Sequence, residues 1–177
     1  MDAARERKRE EIIGLLNRGR EMELQAIVQY MNQHYGLDDM DYGELAGRMK
    51  LIAIDEMRHA EMFAERIKEL GGEPTTKRAG EIEAGQPVER IYPFDSGLED
   101  DTIDVYNGFL ETCVRHGDSV TAKIFERVIA EEQIHLNYFD NIGTHIEKLG
   151  ATFLSQKAGT SSATGMTILG FAAQAGE

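Results

Sequence analysis

Six side chains in this sequence have the types and spacing to hold a pair of metal ions. Two copies of Glu-x-x-His occur, Glu56-Met57-Arg58-His59 and Glu132-Gln133-Ile134-His135. Each lies inside an apolar stripe at helical spacing. The first is framed by Leu45, Met49, Ile52, Phe63, Ile67 and Leu70, and the second by Val120, Ile124, Val128, Phe139, Ile142, Ile146 and Leu149. Residues three and four apart share one face of a helix, so each motif sits on a face that should be buried. Two further glutamates interrupt apolar stripes, Glu23 (with Leu16, Ile27 and Tyr30) and Glu99 (with Ile103, Tyr106, Leu110 and Cys113). A buried carboxylate is costly unless it is paired, hydrogen-bonded or bound to a cation. Four of them with two imidazoles ask for cations.

The spacing is repeated across the two halves of the chain. Glu23, Tyr30, Glu56 and His59 map onto Glu99, Tyr106, Glu132 and His135 with one offset of 76 (99−23, 106−30, 132−56, 135−59). Within each half the two glutamates are 33 residues apart (56−23, 132−99). This is an internal repeat of helix pairs. A single Glu-x-x-His is a weak signal, because a surface acid beside a core histidine is the commoner arrangement. Two copies at constant offset, each following a buried glutamate, are specific.

The elements that must position these residues follow from breakers and caps. A first helix is expected from about Ala4 to Tyr35, ending near Gly36, and a second from an Asp41 cap to Leu70, before Gly71-Gly72-Glu73-Pro74. Residues 73–95 hold all three prolines and lack a helical period, so they read as a long connection. Ser96 with Glu99 resembles a capping box opening a third helix that ends at His116-Gly117. Asp118 caps a fourth helix running to about Leu149, and a short fifth helix is expected over 151–158. The remainder, 159–177, is small and polar and reads as a flexible tail behind a single domain over 1–158.

Four long helices in one domain imply an all-α bundle. Its short first and third connections make antiparallel pairs, and its long middle connection makes the crossover of the ferritin-like topology. Counted from the short turns at roughly 1.5 Å per residue, the paired glutamates differ in height by about one helical turn or less. All six side chains can therefore converge. Glu56 and Glu132 are assigned as bridges, with Glu23 and His59 completing one metal and Glu99 and His135 the other. Oxygen donors with one imidazole per metal suit iron or manganese. Tyr30 and Tyr106 admit two readings, as hydrogen-bonding or electron-donating neighbours of the site and as core residues with satisfied hydroxyls. Cys113 reads as a small core residue, and no role falls to His34, His116 or His145.

Bulk composition narrows the partners. The formal net charge of −13 disfavours nucleic acid and anionic membranes and favours cations. The single cysteine excludes an internal disulfide and a Cys-x-x-Cys metal module. No apolar run is long enough to span a membrane and the charged N-terminus does not resemble a signal peptide, so a cytoplasmic location is the expectation.

These residues, together with Met57, the segment Met31-Asn-Gln-His-Tyr-Gly-Leu-Asp-Asp-Met-Asp-Tyr-Gly-Glu-Leu and the segment Leu51-Ile-Ala-Ile-Asp-Glu-Met-Arg-His-Ala-Glu, resemble the bacterioferritins, especially those of sulfate-reducing bacteria. The resemblance covers about 1–158. It implies a ferroxidase that oxidises Fe(II) with O2 or H2O2 at a di-iron centre and stores ferric mineral in a cage of 24 subunits. Glu23, Glu56, His59, Glu99, Glu132 and His135 fall on the family's ferroxidase ligands. Met57 falls on its haem-ligand methionine, one from each chain across a two-fold dimer interface. The resemblance also implies an electron-donor partner for iron release, pairs Arg58 with a haem propionate, and places the short fifth helix near the four-fold axes. Three other readings compete. A rubrerythrin-like peroxidase is disfavoured by the lone cysteine. A dimanganese catalase is not separated by the motif alone. A haem electron-transfer protein with a vestigial metal site is disfavoured by the complete ligand set.

Overall fold

The computed structural model describes residues 3–164. Five helices follow in order, α1 (Ala3–Asp39), α2 (Gly43–Glu69), α3 (Val88–His116), α4 (Ser119–Leu149) and α5 (Ala151–Lys157). α1 packs along α2 and α3 along α4, and the two pairs close into a four-helix bundle with a long α2–α3 crossover. No strand forms among the described residues; Tyr42 and Thr160 make one isolated parallel bridge.

The turns use the expected chemistry at one end. Gly117 adopts a left-handed conformation (φ 73°), and the Asp118 side chain then accepts a hydrogen bond from Thr121 N–H at 3.0 Å. That closes α3 and caps α4 in consecutive residues.

Three helix boundaries differ from the sequence expectation. α1 runs through Gly36 to Asp39, because Leu37 is fully buried and extends the apolar stripe. Asp41 is not the cap of α2. It takes the left-handed turn conformation (φ 67°), and Tyr42 precedes the helix with no side-chain cap of its own. α3 starts at Val88, eight residues before the expected Ser96 cap, and carries Pro93 within it. An interior proline disfavours a helix by about 3 kcal/mol. Here Val88, Ile91, Tyr92 and Asp95 are all buried on the extra turns, and their packing holds the helix. Ser96 instead sits mid-helix and hydrogen-bonds to Asp140 of α4.

The crossover is bound to α1 by a polar stripe. Asn17 contacts the backbone of Glu73 and Thr75, Arg20 donates to Thr75 O (3.0 Å), Ala79 N–H donates to Glu21 O, and Gln29 exchanges two hydrogen bonds with the backbone of Glu83. These positions recur about every four residues, so one face of α1 serves as the track for the chain returning to α3.

The described start of the 159–177 segment lies against the α1–α2 turn. Gly159 N–H donates to Asp41 O (2.9 Å), and the Thr160 hydroxyl accepts from Glu44 N–H (2.8 Å), supplying the cap that Tyr42 lacks. Gly43 permits this approach, since a Cβ there would lie 2.1 Å from Thr160 O. The expected tail beyond residue 164 lies outside the described residues.

Two apolar clusters fill the bundle. One joins Tyr30, Leu37, Leu45, Met49, Tyr92, Phe139 and Phe153. The other joins Ile12, Leu16, Phe63, Ile67, Tyr106, Cys113, Phe125 and Val128. The acidic residues of the repeat stand between these two.

Candidate metal centre

The four long helices each bring one glutamate to mid-bundle, and α2 and α4 each add a histidine one turn further on. Glu23, Glu56, His59, Glu99, Glu132 and His135 are all buried, none more than 4% exposed. Their ligand atoms fall into two groups, Glu23–Glu56–His59–Glu132 and Glu56–Glu99–Glu132–His135, each lying within 4.8 Å of one another. Glu56 and Glu132 belong to both groups. Three fully buried carboxylate oxygens, Glu23 Oε2, Glu56 Oε1 and Glu132 Oε1, each lie within 3.5 Å of an inward-facing imidazole nitrogen.

The histidines point the same nitrogen inward. His59 Nδ1 lies 3.2 Å from Glu132, 3.3 Å from Glu56 and 3.5 Å from Glu23. His135 Nδ1 lies 2.9 Å from Glu56, 3.0 Å from Glu132 and 3.9 Å from Glu99. The other nitrogens are held by acids on the opposite helix pair. His59 Nε2 is 2.9 Å from Glu131 of α4, and His135 Nε2 is 3.5 Å from Asp55 of α2. An Nε2–H donated to a carboxylate fixes the ring tautomer and leaves the Nδ1 lone pair for a metal. Asp55 and Glu131 were missed from sequence. The signal was present, since they too are offset by 76 (131−55) and precede each Glu-x-x-His.

The tyrosines also cross between halves. Tyr30 of α1 donates to Glu99 of α3 at 2.6 Å. Tyr106 of α3 donates to Glu23 of α1 and lies 3.2 Å from Gly19 O. Both readings of these residues therefore hold in part, because each is a buried core aromatic whose hydroxyl is satisfied by the site. Each hydroxyl occupies a glutamate that belongs to one group only, leaving the shared pair Glu56 and Glu132 free of tyrosine.

Burial and close packing move several groups of the cluster away from their ordinary pKa values. Burial, reinforced by the charges of Glu132 and Glu56, raises Glu23 and Glu99 well above the usual carboxylate range. Burial would raise Glu56 as well, but hydrogen bonds from His135 and His59 outweigh it and hold Glu56 well below that range. Burial would lower His135, yet its hydrogen bonds to Asp55, Glu132 and Glu56 push it up to about 12. His59 is raised in the same way against burial by Glu132, Glu23 and Glu56.

Two clefts approach the cluster from opposite sides. One, of about 490 Å³, runs between α1 and α3 and reaches Glu23, Glu56, Glu99 and Glu132, with Asp101, Asp104 and Arg18 in its lining. The other lies between α2 and α4 and includes Asp55, Glu131 and His135 with Arg48, Arg58 and Arg127. Met57, in the middle of the first motif, points away from the cluster and is 53% exposed. Cys113 is buried, and burial pushes its thiol up to about 11, so it is a core residue. His34 bonds Ala46 O, His116 pairs with Glu11 and His145 stacks on Phe153, and none of them reaches the site.

A family model for the ferritin-like domain matches residues 13–149. The chain is 60% identical over 171 residues to the bacterioferritin of Desulfovibrio desulfuricans, covering 97% of this chain and 96% of that one. It is 32% identical to the bacterioferritin of Mycolicibacterium paratuberculosis, over 82% of this chain and 91% of the relative. Among solved structures, the Desulfovibrio desulfuricans bacterioferritin, whose di-iron site was followed through different catalytic states, superposes with a TM-score of 0.93 at 61% identity. That match covers 94% of this chain and 98% of the other. A bacterioferritin of Mycobacterium tuberculosis matches with a TM-score of 0.80 at 30% identity, over 84% of this chain and 94% of that one. With its bundle, its crossover and its two overlapping ligand groups, the chain belongs to the bacterioferritin family of ferritin-like proteins.

Proposed function

We propose that this chain is a ferroxidase that takes up Fe(II), oxidises it at a di-iron centre and stores the ferric product. The observation that carries the reading is the pair of overlapping ligand groups sharing Glu56 and Glu132. Glu23 and His59 complete one iron position, and Glu99 and His135 the other. Four carboxylates and two imidazoles are hard to borderline donors, which fit Fe(II) and Fe(III). The negative charge suits a cationic substrate, and the α1–α3 cleft with Asp101 and Asp104 is the entry we assign to it.

Two Fe(II) ions held side by side supply two electrons to one molecule of O2 or H2O2. The chain's own groups prepare that step. The bridging carboxylates offset the charge of both ions. Glu131 and Asp55 hold the imidazole rings in the binding tautomer. Tyr30 and Tyr106 fix one oxygen each of Glu99 and Glu23, limiting how these terminal ligands can turn. The apolar clusters above and below exclude water along the bundle axis.

Met57 supplies one thioether of a haem site. Its side chain is exposed and lies outside the metal cluster, so it fits a ligand shared with the same residue of a second copy. A neutral thioether pair favours electron transfer over O2 activation. The assembly we assign is the family's cage of 24 subunits built from such dimers, with an electron-donor protein serving iron release. No helix among the described residues is long and apolar enough to cross a membrane, and we assign the protein to the cytoplasm.

The deciding experiment adds Fe(II) in increments to metal-free protein under O2, well beyond two per chain, and then separates the product by size. Iron that keeps accumulating and co-elutes with a very large particle is the expected result. Oxidation that stops near two per chain on a small oligomer would replace storage by a di-iron oxidase or peroxidase, and activity with manganese alone would favour the dimanganese reading.

A further inference from the structure

The internal repeat is broken at one place beside the metal centre, and the break installs a buried acid. Tyr30–Glu99 and Tyr106–Glu23 are equivalent rungs between α1 and α3. The next rung after Tyr30–Glu99 is Gln33–Asp95, where Gln33 Nε2 donates to Asp95 Oδ1 at 2.7 Å. The positions 76 away are Phe109 (33+76) and Gly19 (95−76). There the partner half is apolar, and Gly19 is kept small by Phe63, whose ring would lie 3.1 Å from an added Cβ. Between α1 and α3, therefore, only the Glu99 side carries a further buried acid, Asp95.

Asp95 is fully buried, and its second oxygen, Oδ2, has no hydrogen-bond partner. Its one hydrogen bond is the amide of Gln33, and no cation pairs with it among the described residues. The titratable groups around it are the phenols of Tyr30 on α1 and Tyr92 on its own helix, with Tyr138 of α4 beyond Tyr92. α2 contributes Leu45, Met49 and Ile52 to the core at this level. A carboxylate so placed is unfavourable, and burial raises Asp95 well above the usual range. Gln33 is held in turn by Gln86 (2.8 Å), which lies at the crossover and is 9% exposed. The acid is thus one helical turn from Glu99 on one side and one amide pair from the surface on the other.

We propose that Asp95 is a buried carboxylic acid that gives up its proton when iron at the Glu99–His135 end is oxidised, so that its carboxylate offsets part of the positive charge gained there. The inference rests on the ferroxidase reading above. With hydrogen peroxide as oxidant, two Fe(II) lose two electrons, the O–O bond breaks and two protons are consumed to give two waters. Asp95 supplies one of these protons, and solvent in the α1–α3 cleft supplies the other. When the ferric product has left, Asp95 takes a proton back from solvent at the Gln86 side. The two metal positions are then inequivalent in proton supply, although their ligands are repeated.

Infrared difference spectra test this on full-length protein loaded anaerobically with two Fe(II) per chain and oxidised with hydrogen peroxide. Wild type should lose a carbonyl band of a neutral carboxylic acid on oxidation, shifted in D2O, and D95N should lack that band. D95N should still bind two Co(II) per chain and retain its helical spectrum, but oxidise Fe(II) at least about tenfold more slowly, with a flatter pH profile. Wild type that oxidises Fe(II) with no change in such a band overturns the inference and leaves the ferroxidase reading standing. A band that persists in D95N likewise overturns it. Wild type that binds Fe(II) but does not oxidise it removes both readings.

Discussion

At the scale of single residues, the site is governed by where protons sit before metal arrives. His59 and His135 are raised by their carboxylate neighbours, and Glu23 and Glu99 are raised first by burial. Metal binding needs neutral imidazoles and ionised carboxylates, so it must displace these protons. The sign follows: apparent metal affinity rises with pH, and falls on acidification as protons compete. Anaerobic titration with Co(II) in weak buffer should therefore release protons, and the binding midpoint should move to lower metal concentration at higher pH. A midpoint that stays fixed between mildly acid and alkaline conditions would contradict this proton inventory. The acids behind the rings have a separate effect. Asp55→Asn and Glu131→Gln each leave all six candidate ligands in place but weaken the hold on one imidazole. Each should lower metal affinity by about 10–100-fold, measured by competition with a chelator. Because both rings meet at Glu56 and Glu132, the double variant should depart from the product of the two factors.

At the scale of elements, the α1–α2 turn depends on a segment far from it in sequence. α2 begins at Gly43 without a side-chain cap from its own flank, and the Thr160 hydroxyl fills that role. Loss of an N-cap hydroxyl costs about 1 kcal/mol, so Thr160→Ala should lower stability by about that amount in denaturant unfolding of the metal-free protein. Gly43→Ala is the stricter test, because the added methyl meets Thr160 O at 2.1 Å and must push the segment off the helix. It should be at least as destabilising as Thr160→Ala, and the combination should be less than additive, since both break the same contact. Full additivity would show that the two substitutions act through different contacts. Within the core, Phe125 is fully buried between Phe63, Tyr106 and Phe109, and Phe125→Ala should cost about 3–5 kcal/mol by leaving a cavity.

At the scale of the whole molecule, the bundle has unfinished business on its outer face. Met57 is half exposed although it lies between the buried candidate ligands Glu56 and His59, and Val28 and Tyr35 on α1 are also exposed apolar groups. If Met57 binds haem with its counterpart in a second copy, Met57→Leu should abolish haem absorbance while leaving two metal ions bound per chain and the rate of Fe(II) oxidation within about twofold, because the Met57 side chain is exposed and belongs to neither ligand group. Release of stored iron by an external reductant should slow in the same variant. Haem retained at full occupancy in Met57→Leu would remove the thioether assignment without touching the di-iron centre.

The sequence alone determined the all-α bundle, the crossover and all six candidate ligands, because a buried acid in an apolar stripe is visible against helical periodicity and the offset of 76 repeats it. It also carried, unread, Asp55 and Glu131 at that same offset. What it could not determine were properties of contact between distant segments. The start of α3 was hidden because Pro93 signals a break locally, while burial of Val88, Ile91, Tyr92 and Asp95 outweighs it in the packed bundle. The cap of α2 was hidden because its hydroxyl comes from Thr160, more than a hundred residues away. The crossed pairs Tyr30–Glu99 and Tyr106–Glu23, and the solitary Asp95 beside one of them, exist only once α1 lies against α3. Periodicity records which face of a helix is buried; which side chain each buried group meets is decided by how the helices pack.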